Sequence, residues 1–480
     1  MSGDKIGVDR WVEQYSDRVK QDTGLRGLLS DARGRIPAWG WIIILFGLGL
    51  LVPLLTSNTF AIRIAGNVAL LGTLALGLNV VVGYAGLLDL GFVAFYGIGA
   101  YTYAYLSSNF TGIHLPTPIT LLIILLVSVL FGLLIGSTSL RLMGDYLAIV
   151  TLGFGQVFVQ LMTSLTRVSL PGQERPVDLT GGPNGIVQLD PFSLFGFRAN
   201  SVQSYYVVLL VMLCIMLLII YHLYHSRVGR AWTALREDEL AAEAMGMPTR
   251  RLKVQAFMTG AAIAGVSGGL FASWQGSVFP SNFDTTLLIT VYAIIVLGGL
   301  GSLPGVVLGS ILIVAIPDIL RNADLAGKLF YAGTFLLLVV ALRPRWQTPL
   351  LVLAVIIFGL LLRPILTAAS PESFVPFEPT GSAFTDTVRG WLAIPAESFR
   401  AGNLAFLALL ALGLTTTRVK STILRFILLI PTLYLLIFVW ETRLSQEPSV
   451  TRLIFVGLLL VVLMIYRPNG LLGQRRVEVV

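Results

Sequence analysis

Few side chains in this sequence are equipped for chemistry, and where they stand narrows what that chemistry is. Asp89 lies in the stretch 83–105, GYAGLLDLGFVAFYGIGAYTYAY, where glycines recur among apolar residues and Gly91 and Tyr96 follow closely. Two roles suit a carboxylate there. It can sit in a broken helix, whose freed backbone groups must be buried in protein or line a watery path, with Gly91 and Tyr96 beside it as candidate path residues. It can equally sit at a helix end near the surface and cap backbone amides. Gln156 and Gln160, four residues apart, present two amides on one helical face, toward a pathway or toward a neighbouring helix. Asp145 directly precedes an apolar run and is placed to cap the helix that follows.

A third group is soluble in character. Residues 227–253 read RVGRAWTALREDELAAEAMGMPTRRLK, with strong helix formers over 231–245 stopped by Gly246 and Pro248. A short exposed helix bearing Arg236, Glu237, Asp238, Glu239 and Glu243 is suited to docking in a protein groove, and equally to standing in solvent without a partner.

Other chemistries lack their residues. Gly327-Lys328 is followed by Leu329 and has no upstream glycine, so no phosphate-cradling loop for a nucleotide is present. The histidines His114, His222 and His225 are scattered, no HExxH occurs, and the single cysteine, Cys214, lies within an apolar run. Neither an enzyme nor a metal site is expected.

The elements that hold these residues are membrane helices. Of 480 residues, 55% are hydrophobic and 12% charged, against about a quarter charged in soluble domains. Apolar runs of the length needed to cross about 30 Å of hydrocarbon fall at 38–56, 60–82, 83–107, 117–140, 144–164 and 204–224. After the polar segment 165–203 and the 227–253 loop they resume at 254–275, 285–300, 304–320, 328–342, 348–367, 401–417, 421–441 and 451–466. The expected fold is all-α and polytopic, with about 14 transmembrane helices. Small residues four apart, such as Gly132 and Gly136, Gly265 and Gly269, and Gly301, Gly305 and Gly309, mark expected helix interfaces. With the first residues cytoplasmic, about 22 Lys and Arg fall inside and about 11 outside, which places both termini in the cytoplasm. Anionic lipid is then the natural counter-charge, and no nucleic acid is needed to explain the net charge of +8. Residues 1–37 are too charged for a signal peptide, and Val8, Trp11, Val12, Tyr15 and Val19 share one helical face. That helix could lie in the membrane surface or pack on a partner.

Six ordered blocks carry a resemblance: GLNVVVGYAGLLDLGFVAFYGIGAYTYA (77–104), RLMGDYLAIVTLGFGQV (141–157), LTGGPNGI (179–186), GRAWTALREDELAAEAMGM (229–247), AGVSGGLFASWQG (264–276) and IIVLGGLGSLPGVVLG (294–309). Together they resemble the LivM-type permease subunit of bacterial branched-chain amino acid ATP-binding cassette transporters. The resemblance implies the all-helical importer permease fold and a pore-forming role in the inner membrane. It also implies a LivH-like second permease, two cytoplasmic ATPase subunits that bind the ATP and Mg, and an extracytoplasmic solute-binding protein; no cofactor belongs to this chain. In that family the 229–247 block is the coupling loop that docks on an ATPase. The role falls here to Arg236, Glu237, Asp238, Glu239, Ala242, Glu243 and Gly246.

The implied organisation is a cytoplasmic segment at 1–37, a permease domain at 38–343 with its coupling loop at 227–253, added helices at 344–466 and a cytoplasmic tail at 467–480. The family ending, Tyr466-Arg467-Pro468-Asn469-Gly470-Leu471-Leu472, closes the chain, although Ala341-Leu342-Arg343-Pro344-Arg345 already resembles its start. About four extra spans therefore stand between the two, with no function assigned. Related readings are an importer of urea or short amides, and an ion-coupled secondary transporter. The latter would call for a second membrane carboxylate beside Asp89.

Overall fold

The computed structural model describes residues 38–139, 145–166, 178–194, 196–319, 323–341, 347–369, 383–395, 398–419, 421–444 and 470–473, with Gly457 and Val461. The expected surface helix within 1–37, most of the 451–466 span and the capping side chain of Asp145 lie outside the described residues. Two compact units are present: residues 1–310 with 469–480, and residues 311–468.

Unit 1 begins with α1 (Ala38–Leu55) and α2 (Thr59–Leu78), which a wider π-helical turn, Asn79–Tyr84, extends. After a non-helical stretch come α3 (Phe92–Leu106), α4 (Thr117–Ser139), α5 (Asp145–Ser164) and α6 (Val202–His225). Two short polar helices, α7 (Arg227–Glu237) and α8 (Glu239–Ala244), precede α9 (Thr249–Gln275), α10 (Thr285–Gly298) and α11 (Leu303–Ser310). Strands are two-residue pieces that tie connections together, as where Ile186 and Val187 pair antiparallel with Val278 and Ser277. Among the described residues eight helices are long and apolar enough to cross a membrane, beside three shorter apolar ones. The expected 83–107 span is not one continuous helix: Gly83 and Tyr84 end the π-helical turn, the chain leaves helix at Ala85, and it restarts at Phe92 to run to Leu106.

Capping residues set the starts. Asn58 Oδ1 accepts from Phe60 N at 3.0 Å ahead of α2, and Ser201 and Ser204 exchange backbone-to-hydroxyl bonds of 3.1 and 3.2 Å ahead of α6. The centre of unit 1 is α9, packed against α2, α3 and α4. Lipid tails are as apolar as leucine, so these helices gain little by hiding apolar surface from each other and must instead fit closely. A Cβ at Gly268 would stand 1.9 Å from Tyr96 O, one at Gly99 2.0 Å from Gly265 O, and one at Gly132 2.8 Å from Ala261 Cβ. The expected glycine interfaces on α4 and α9 are thus real contacts. Gly305 and Gly309 meet α10, whereas Gly301 lies in the turn before α11 with φ +81°.

Gly265, Ser267 and Gly269 happen to have the spacing of a hydrolase nucleophile turn. Here the helix runs straight through them, and fully buried Ser267 donates to Leu70 O at 3.2 Å. The hydroxyl serves helix packing.

Unit 2 contains a π-helical turn (Ile311–Ala315), α12 (Ile316–Ile319), α13 (Ala323–Ala341), α14 (Gln347–Ala369), α15 (Ala383–Trp391), α16 (Ser398–Arg418) and α17 (Thr422–Leu444). Its core gathers Leu338, Leu351, Val355, Leu392, Ala405, Leu433, Tyr434 and Phe438. Trp391 sits over Gly359 and donates its indole N–H to Ile356 O at 2.9 Å. Phe330 and Trp440 stack with centroids 4.0 Å apart, and Tyr331 donates to the buried Glu441 at 2.7 Å.

Candidate functional site

The polar pair α7–α8 is the most distinctive surface of unit 1. The sequence reads as one helix over 231–245, but the structure breaks it at Asp238, whose backbone is extended (φ −156°, ψ 110°). The cause is a competing cap: Asp238 Oδ1 accepts from Leu240 N at 2.9 Å and Ala241 N at 3.0 Å, and so starts a second helix in a new phase. That second helix stops at Gly246. Gly246 N donates to Glu243 O and Met247 N to Ala242 O, with Gly246 at φ +80°, the paired bonds of a Schellman ending.

The break sorts the expected coupling residues into two sets. Facing the bundle, buried Trp232 donates its indole N–H to Leu252 O at 2.9 Å, and Leu235 and Ala242 are buried. Glu239 pairs with Lys253 at 2.5 Å, the lysine side chain only 7% exposed. Arg236 also points inward, donating from Nη1 to Gly83 O. Facing outward are Glu237, Glu243 and Gly246. With them stand Leu240, 71% exposed, and Met245, 83% exposed. Sequence reasoning singles out neither, because it weighs the charged residues of this loop and an apolar residue in a polar helix reads as facing the bundle.

Beneath Arg236 lies the broken segment. Asn79 Oδ1 accepts from Gly301 N at 2.9 Å. A Cβ at Gly86 would meet Arg236 Cγ at 2.8 Å, and one at Gly301 would meet Arg236 Nη1 at 3.0 Å. Residues 470–472 complete this region: Leu471 N and Leu472 N donate to Leu297 O and Gly298 O at 2.9 and 3.0 Å, satisfying carbonyls at the end of α10.

Asp89 is fully buried, just before α3. Its Oδ1 accepts from Gly91 N at 2.9 Å, its backbone carbonyl accepts from Tyr292 OH at 2.6 Å, and Oδ2 has no hydrogen-bond partner among the described residues. Leu90 N donates to Thr151 Oγ1 at 3.0 Å, and Gly91 lies so close to Thr151 O that a Cβ would be 2.1 Å away. Tyr96 is buried in an aromatic cluster with Phe271 and Phe283, at centroid distances of 5.4 and 5.7 Å. Gln156 and Gln160 lie on the exposed side of α5, where Gln156 Nε2 donates to Thr285 Oγ1 at 3.0 Å. The apolar Ile149, Val157 and Leu161 are exposed on the same helix. Helix α5 therefore links the buried segment, through Thr151, to an exposed polar stripe.

Residues 60–358 match the family described as branched-chain amino acid transport system / permease component. The chain belongs to this permease family. Among its relatives is the high-affinity branched-chain amino acid transport system permease protein LivM of Escherichia coli, 39% identical over 300 residues, which cover 58% of this chain and 67% of that one. LivM of Salmonella typhimurium matches at the same identity and coverage. The high-affinity branched-chain amino acid transport system permease protein LivH of Escherichia coli is 31% identical over 186 residues, 39% of this chain and 58% of its own. No solved structure matches. Within this LivM-type permease, the broken segment, α5, α7–α8 and the turn at Gly301 all fall inside the matched region.

Proposed function

We propose that this permease forms half of the pore of an ATP-driven importer of branched-chain amino acids in the bacterial inner membrane. It works with a LivH-like second permease, two cytoplasmic ATPases and an extracytoplasmic solute-binding protein. The observation that carries the reading is the α7–α8 pair: a short helix clamped to an apolar bundle by Trp232 and the Glu239–Lys253 pair, and presenting Leu240 and Met245 to solvent. A soluble helix with two large apolar side chains at its tip is built for a partner's pocket. In this reading Leu240, Glu243 and Met245 enter the ATPase, while Arg236, Glu239 and Ala242 hold the helix to the permease. Gln156 and Gln160 face the second permease across the path, since amides turned toward lipid would lose their hydrogen bonds. Asp89 and Gly91 belong to the inner end of that path.

The test is uptake of labelled leucine, with urea as a parallel substrate, into vesicles holding this chain, the second permease, the ATPases and the binding protein. Leucine uptake that needs both ATP and this chain is expected. Urea uptake alone would change the substrate, and transport by this chain without ATP or partners would overturn the importer reading.

A further inference from the structure

Arg236 joins the polar helix α7 to the broken segment of the membrane bundle. It starts on α7, the helix clamped to α9, and ends inside the membrane unit at Gly83 O, with Gly86 and Gly301 against its stem and head. The receiving segment is not an ordinary helix. Residues 79–84 form a wider π-helical turn, a form that recurs at functional sites, and the chain leaves helix before restarting at Phe92. Among the described residues, three buried polar atoms of this one segment have no hydrogen-bond partner within the chain: Asn79 Nδ2, Tyr84 OH and Asp89 Oδ2. Buried polar groups are ordinarily paired, so this segment is set apart from the helices around it. Tyr84 also stacks on Tyr224, near the end of α6 that leads into α7, at 4.6 Å.

We infer that Arg236 is a positioning residue that carries movement of the α7–α8 pair into the segment 79–91, so that ATPase closure repositions Asp89. Arginine has the right chemistry for this, because its planar, permanently charged fork holds a backbone carbonyl strongly while its stem packs between glycines. Glycine suits the other side, since any Cβ at Gly86 would collide with the arginine stem. Asn79, holding the turn at Gly301, extends the same linkage to the end of α10. This role for Arg236 rests on the importer reading above.

The experiment uses the complete importer in vesicles, carrying Leu88→Cys in a Cys214→Ala background. Leu88 is 39% exposed next to Asp89, so a thiol there reports the segment by its labelling with a water-soluble maleimide. In the parent, a non-hydrolysable ATP analogue is expected to change the labelling rate. Co-purified ATPase and ATP hydrolysis are measured in Arg236→Gln alongside transport, so that transport is read per ATP. Solute moved per ATP should fall at least about tenfold, the scale of losing a hydrogen bond from a charged group, and the nucleotide effect at Leu88→Cys should vanish. Arg236→Lys, which keeps a charged donor, is expected to recover part of both. Parental transport per ATP, persistence of the nucleotide effect, or loss of the ATPases from Arg236→Gln would each overturn the inference. The unsubstituted complex keeps the two readings apart: the importer reading is decided by ATP-driven uptake there, and the role of Arg236 by labelling in Arg236→Gln.

Discussion

Replacing Leu240 and Met245 together by alanine is expected to weaken ATPase docking while leaving the permease folded. Both side chains are mostly exposed, at 71% and 83%, so truncating them removes little from the fold. Alanine is also the best helix former, which protects α8. Fully burying a leucine or methionine side chain is worth about 1.5–3 kcal/mol. Alanine keeps a small part of that, so the pair should cost about 2–4 kcal/mol of docking free energy. That corresponds to about a 30-fold to 700-fold rise in Kd. The assay is titration of the purified ATPase against the permease pair in nanodiscs, with thermal unfolding of the permease measured alongside. Docking within about threefold of the parent, at unchanged thermal stability, would refute the argument that these two residues anchor the partner. A fall in thermal stability equal to the docking loss would refute the claim that truncating them removes little from the fold.

The Glu239–Lys253 pair should respond unequally to removal of either member. Glu239→Gln strands a lysine that is only 7% exposed, whereas Lys253→Met leaves a glutamate with 30% exposure and access to water. The first is expected to cost about 1–3 kcal/mol and clearly more than the second, read by thermal unfolding. At the α3–α9 contact, Gly268→Ala is expected to destabilise by about 1–3 kcal/mol, because its Cβ meets Tyr96 O, while Gly153→Ala, with open space around it in mid-helix, should not destabilise and should gain up to about 1 kcal/mol of helix propensity. Converting Gln156 and Gln160 together to leucine is expected to reduce solute uptake with little loss of thermal stability of the isolated permease, since both lie on an exposed face. A large stability loss with uptake preserved would remove them from the path.

Much of this architecture was legible in the sequence because membrane helices announce themselves by length and apolarity. The broken segment was legible for a related reason: glycines around Asp89 are poor helix material, and the chain does leave helix there. The end of the polar helix at Gly246 was equally readable, because a left-handed residue after a helix selects glycine. What the pattern could not supply was rotation. Treating 231–245 as one helix hides the restart at Asp238, and with it which charges turn inward and which apolar residues turn out. Partners far apart in sequence were also invisible: Arg236 with Gly83, Asn79 with Gly301, and Leu471 with Leu297 pair backbone or amide groups that any residue order could provide. Tyr96 illustrates the same limit, since its packing against Phe271 and Phe283 joins residues far apart in the sequence.

The bonds from Leu471 and Leu472 to the end of α10 close a long excursion of the chain. Everything between Gly298 and Gly470 leaves from and returns to one fixed place, so its length is nearly free to vary: doubling a closed loop costs only about 0.6 kcal/mol. Residues 311–468 form a compact unit of their own within this excursion, while the residues that anchor its two ends belong to the other unit. The same closure sets an order of events during synthesis. The carbonyls of Leu297 and Gly298 must wait through more than a hundred and fifty further residues, by rough count of the intervening chain, before their partners leave the ribosome. A nascent permease that stalls before Gly470 therefore carries an open helix end, a defect by which unfinished chains differ physically from finished ones.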